Sequence, residues 1–130
     1  MGRGDRCAIS GAGMAGTLKI KWSDWLPFQP WRVVEIVDDA DEVSLRLPRN
    51  GAALVGAADH PKWVVFDCPC RRGHRIMINA DVKRKPAWRL GLSPTRRLTI
   101  SPSVDYADGR RRCHYFVRDG KIVWAKDSFQ

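Results

Sequence analysis

The sequence predicts a β-dominated fold, a compact antiparallel all-β domain, and three observations carry that expectation. Apolar and polar residues alternate with period two in run after run, turn signals separate the runs, and only one short stretch offers a helix. Period-two alternation is what a strand with one buried face requires, because successive side chains point to opposite sides of the sheet.

In chain order, residues 1–16 hold five glycines and little periodicity, and are expected to be a disordered leader, with Met14 as an alternative start. Residues 17–130 are expected to form one domain, since 130 residues with 44% hydrophobic content suffice for one sizeable core. Leu18, Ile20 and Trp22 alternate with Thr17, Lys19 and Lys21. The pattern recurs at Val43-Leu45-Leu47, at Trp63-Val65 with Val64-Phe66 on the other face, and at Ile76-Ile78. Trp88-Leu90-Leu92 and Leu98-Ile100 continue it, for about seven or eight strands in all. Pro48-Arg49-Asn50-Gly51, Ser93-Pro94 and Asp108-Gly109 supply turns. The single helix candidate lies within Ala52 to Ala58, weakened by glycine.

Asp119-Gly120 predicts a two-residue type I′ hairpin turn, because both residues accept positive φ. The register follows: Arg118 faces Lys121, Val117 faces Ile122, Phe116 faces Val123, Tyr115 faces Trp124 and His114 faces Ala125. Cys113 and His114 then point to opposite faces.

No apolar run approaches the ~18 residues of a membrane span, and the N-terminus has no secretory pattern, so a soluble cytoplasmic protein without membrane partners is expected. Charge is uneven. Residues 1–70 carry 8 Lys+Arg against 9 Asp+Glu, and residues 71–130 carry 15 against 5. Arg71, Arg72, Lys83, Arg84, Lys85, Arg110, Arg111 and Arg112 sit at apparent turns, either as a solvated surface or as a docking surface for nucleic acid or an acidic protein.

Three of the four cysteines and two of the three histidines fall in Cys68-Pro69-Cys70-Arg71-Arg72-Gly73-His74 and Cys113-His114. Thiolate and imidazole in one cluster are the ligands zinc prefers, which points to one zinc ion stapling the domain. Cys68 and Cys70 supply two ligands, His74 returns across Gly73 as a third, and the far hairpin supplies the fourth. His114 is preferred there and Cys113 is the alternate, because Cys113 shares an apolar face with Tyr115 and Val117 while His114 lies opposite the small Ala125. Three ligands would leave an open catalytic position, and four would close a structural site. Cys7 is expected to be unliganded and His60 a loop residue.

Cys68-Pro69-Cys70 with Gly73-His74-Arg75-Ile76, then Trp88, Leu98-Thr99-Ile100-Ser101-Pro102-Ser103 and Cys113-His114-Tyr115-Phe116-Val117-Arg118-Asp119-Gly120 resemble a family of small metal-binding bacterial and phage proteins of unknown function. Its members are sometimes mis-titled ammonia monooxygenase. Many read Cys-Pro-Cys-Gly-Cys-Gly, with a third cysteine where this chain has Arg72, and Trp-Cys where it has Trp124-Ala125. Some are encoded beside bacterial ubiquitin-like proteins and their conjugating enzymes. The resemblance implies a zinc-binding accessory protein of such a pathway, with the ubiquitin-like protein or its conjugating machinery as partner and a zinc-dependent hydrolase or peptidase activity on the modifier. The alternative is a non-catalytic zinc module that binds a protein or nucleic acid through its basic half.

Hydroxyl chemistry offers a further route. Ser101 or Ser103 near His114, with Asp105, would make a nucleophile, base and orienter, although serines capping a turn at Pro102 are the commoner case. Glu35 would be a general base only if it faced the metal. Trp63, Trp88 and Trp124 read as core rather than as a base-stacking platform.

Overall fold

The described residues form eight strands in two four-stranded sheets. The structure, a computed structural model, describes residues 18–107 and 112–126. The expected leader with Cys7 and Met14, the Asp108-Gly109 turn, Arg110 and Arg111 lie outside the described residues.

The first sheet runs β1 (Arg32–Val37), β2 (Gly51–Ala57), β3 (His60–Asp67), β4 (Arg75–Asn79) in that spatial order. The second runs β5 (Arg89–Leu92), β6 (Leu98–Ala107), β7 (Arg112–Arg118), β8 (Lys121–Trp124). Every pairing is antiparallel except β1 with β2, which is parallel and departs from the antiparallel expectation. Three other expectations change in the same half of the chain. The helix candidate at Ala52 to Ala58 is mostly β2, and the runs at Leu18 to Trp22 and Val43 to Leu47 are not strands.

One physical fact explains all three. The first sheet is covered on both faces, so its strands need apolar residues without alternation. One face meets the second sheet through Val33, Ala52, Leu54, Val64, Phe66, Ile76 and Ile78, against Leu98, Ile100, Val104, Tyr115 and Val117. Ala53, Val55 and Val65 on the other face are covered by Ile20, Val43 and Leu47 from irregular segments. Those segments keep their apolar residues as a lid over a sheet, with 3-10 turns at Trp22–Trp25 and Ala40–Glu42. Glu35, buried in β1, fixes this lid by accepting hydrogen bonds from the Ser44 N–H (2.9 Å) and the Ser44 hydroxyl.

The sheets are joined by backbone as well as by packing. Trp31 N donates to Gly120 O (2.8 Å), Leu98 N to Trp31 O (3.0 Å) and Val33 N to Arg96 O (3.0 Å). The β7–β8 register is the one the turn predicts, from Tyr115↔Trp124 to Arg118↔Lys121, with Ala125 N donating to His114 O (2.9 Å). Asp119 and Gly120 have φ of 46° and 83°. No described helix is long and apolar enough to cross a membrane.

Candidate active site and metal centre

The loop from β3 to β4 is built to fold back on itself. Cys68 N donates to His74 O and Arg71 N to Cys68 O, each at 3.0 Å, while Arg71 (φ 60°) and Gly73 (φ 91°) take the left-handed conformation that reverses the chain. The reversal brings Cys70 Sγ to 3.5 Å from His74 Nε2. Cys113 reaches the same place from the inner face of β7. Ligand atoms of Cys68, Cys70, His74 and Cys113 all lie within 4.8 Å of one another. Ligands on a tetrahedral ion with ~2.3 Å bonds to sulfur stand about 3.8 Å apart, so the cluster can hold a metal with little closure.

Its surroundings agree with a bound dication. Burial pushes the Cys68 thiol up to about 12; the Cys70 backbone lowers it by less, and the Cys70 and Cys113 sulfurs add smaller rises. Three thiols packed this way ionise when a cation compensates them. The Tyr115 hydroxyl is buried without a hydrogen-bond partner among the described residues, and its surroundings, burial first and the Cys68 sulfur next, push its ionisation upward. A metal-bound thiolate is the acceptor such a hydroxyl needs. The His74 ring stacks on Tyr106 at 4.2 Å, which fixes its plane.

Of the expected ligands, Cys68, Cys70 and His74 are grouped with the alternate, Cys113, and His114 is not among the atoms within 4.8 Å of one another. The hairpin register is the expected one, but the cluster borders the core between the sheets, so the apolar face of Cys113 is the face turned toward Cys68 and Cys70. His114 turns outward and meets Ser103, with 2.8 Å between Ser103 Oγ and His114 Nε2.

A local irregularity in β6 makes that contact. Ile100 pairs with Val117 and Val104 with Tyr115, so Ser101, Pro102 and Ser103 together oppose Phe116 alone. Such a bulge re-aims side chains. Beyond it the strand is regular: Val104 and Tyr106 face inward, while Ser103 and Asp105 face outward with His114, the cross-strand partner of Asp105. The Arg112 guanidinium grips Asp105 through two hydrogen bonds (2.9 and 2.7 Å). That bond, with the charges of Arg112 and His114, holds the Asp105 carboxyl below its usual range. The Trp88 indole N–H donates to the Ser103 carbonyl (3.0 Å), and Phe116 lies beside the His114 ring, 6.0 Å between centroids.

Of the remaining candidates, Ser101 is exposed and pairs with Arg89, and Glu35 is engaged by Ser44, so neither is brought to His114 or to the cysteines. Arg71 and Arg72 are exposed on the cysteine loop, Arg71 donating to Asn50 Oδ1 (3.0 Å), and Lys83, Arg84 and Lys85 are exposed beyond β4. Arg112 serves Asp105. Tyr106 and Tyr115 were missed by the sequence reading. The signal for Tyr106 was the alternation Val104-Tyr106 after Pro102, which the proline concealed.

The model of the BubE family, described as bacterial ubiquitination-like system serine protease, matches residues 37–125. The chain belongs to this family. The match spans both the cysteine cluster and the Ser103–His114 pair, and ties the chain to bacterial ubiquitin-like systems. No curated protein and no solved structure matches it.

Proposed function

We propose that this BubE-family chain is a serine hydrolase that cleaves at a ubiquitin-like modifier, with Ser103 as nucleophile and His114 as general base. The observation that carries the reading is the 2.8 Å approach of Ser103 Oγ to His114 Nε2 on the outward face of β6 and β7. Ser103 Oγ attacks the scissile carbonyl carbon while its proton passes to His114 Nε2. His114 returns that proton to the leaving amine, and water then hydrolyses the acyl ester by the same base. Asp105, held ionised by Arg112, supplies the negative charge that stabilises the imidazolium.

Zinc is the metal the Cys68, Cys70, His74 and Cys113 donors suit best. Four protein ligands leave no open position for water, which favours a structural ion over a zinc-dependent hydrolase. The ion would supply thiolate stabilisation and a crosslink between the β3–β4 loop and β7. The partner is then the ubiquitin-like protein or a conjugate of it, in the cytoplasm where such pathways act.

The test is a fluorophosphonate probe, followed by mass spectrometry of the labelled peptide. Labelling at Ser103, lost in His114→Ala, is the expected result. Labelling elsewhere, or modifier cleavage that survives Ser103→Ala, overturns the assignment.

A further inference from the structure

The two sheets do not close on each other at every edge. β4 is the outer strand of the first sheet, and among the described residues nothing pairs with Arg75–Ile78 on its outer side. β5 pairs with β6 only from Leu98 to Ser101, so among the described residues Val104–Ala107 also lacks a strand on the side away from β7. These two unpaired stretches border one cleft of about 300 Å³, lined by Ile76, Met77, Ile78, Trp88, Val104 and Tyr106, with Arg75 and Asp105 at its borders.

The cleft adjoins the stretch of β6 that carries Ser103. Trp88 forms part of its wall and donates to the Ser103 carbonyl, Val104 follows Ser103 directly, and Asp105 is the cross-strand partner of His114. Its charges are already engaged: Arg75 bonds to Asp67 and to the Ser44 and Leu45 carbonyls, and Asp105 to Arg112. What the cleft offers a ligand is apolar side-chain surface beside free backbone donors and acceptors. An exposed row of such groups recruits an extended chain as an added strand. Met77, 47% exposed on β4, adds apolar surface to the cleft.

We propose that this cleft is the substrate groove, in which an extended, unstructured peptide segment of the substrate adds to a free strand edge and seats alternate aliphatic side chains against Met77 on one face and against Ile78 and Trp88 on the other. The proposal rests on Ser103 being the nucleophile, and it narrows the substrate class to chains with an extended tail at the scissile bond. A folded surface cannot enter between two strand edges.

Binding to the Ser103→Ala protein separates the groove from the chemistry. Fluorescently labelled hexapeptides, with leucine, aspartate or an N-methylated residue stepped through each position, are titrated by anisotropy. Leucine peptides should bind at least about tenfold more tightly than aspartate peptides at one position, and N-methylation should cost about as much at a neighbouring position, because it removes a strand donor. Met77→Arg, with its fold checked by circular dichroism, should weaken leucine peptides about tenfold. Equal affinity across the series, or no effect of both Met77→Arg and N-methylation, overturns the groove while leaving Ser103 untouched. Peptide cleavage that persists in Ser103→Ala overturns the catalytic assignment, and the binding series still decides the groove.

Discussion

Cys113 and His114 are neighbours in sequence with opposite assignments, and two substitutions separate them. Cys113→Ser removes a buried donor from the metal cluster, so metal content and melting temperature should both fall. His114→Ala removes an outward, half-buried ring that touches Ser103, so metal content and melting should hold while hydrolysis drops by about 10³-fold or more. Metal analysis, thermal melting and modifier cleavage on the two variants check this, and metal loss in His114→Ala with retention in Cys113→Ser would return the ligand to His114. Asp105 adds a third measurement. Asp105→Asn keeps the shape but removes the charge facing His114, and should slow hydrolysis by about tenfold with KM little changed. The depressed Asp105 ionisation also stabilises the fold above the unfolded carboxyl range near ~3.9, a contribution lost as pH falls through the lower folded value. It is small, because the pair is about 40% exposed.

At the scale of elements, β6 and β7 act as a two-sided device. Tyr106 and Cys113 pair across the strands and face the cysteine cluster, while Asp105 and His114, one residue along, pair on the other face. Whatever fixes the inner face therefore fixes the outer one. The β7–β8 hairpin was legible because Asp119-Gly120 admits one turn type, and one turn type sets one register. The Ser101–Ser103 bulge was not legible: alternation breaks at Pro102, and nothing local says how many residues will oppose Phe116. β1 and β2 were not legible for a different reason, since two-sided burial erases the alternation that marks a strand. The turn carries a prediction of its own. A Cβ at Gly120 would lie 2.9 Å from Pro30 Cβ and 3.1 Å from Trp31 O, at a φ of 83° that side chains rarely adopt. Gly120→Ala should therefore cost about 1–3 kcal/mol, read by denaturant unfolding. An unchanged midpoint would show that the junction between Trp31 and the hairpin yields freely.

For the whole molecule, the question is what a metal adds to a domain that already has an inter-sheet core. The core of Phe66, Leu54, Leu98 and Tyr115 is buried without it, and each such side chain contributes about 1.5–3 kcal/mol. The cluster lies where that core ends, tying the β3–β4 loop to β7, so the metal should set the stability of one rim rather than decide whether the chain folds. Chelation should thus lower the melting temperature without abolishing the cooperative transition. Free metal at 100-fold over its dissociation constant stabilises by about 2.7 kcal/mol. At about 4 °C per kcal/mol for a domain of this size, removal should shift melting by about 10 °C. Hydrolysis should fall with metal occupancy even below that temperature, because Cys113 positions the strand that carries His114. Calorimetry with and without chelator, alongside cleavage at matched occupancy, checks both claims. Complete unfolding on chelation would make the domain metal-dependent in the manner of a zinc finger, and unchanged melting in fully chelated protein would remove the metal from the account.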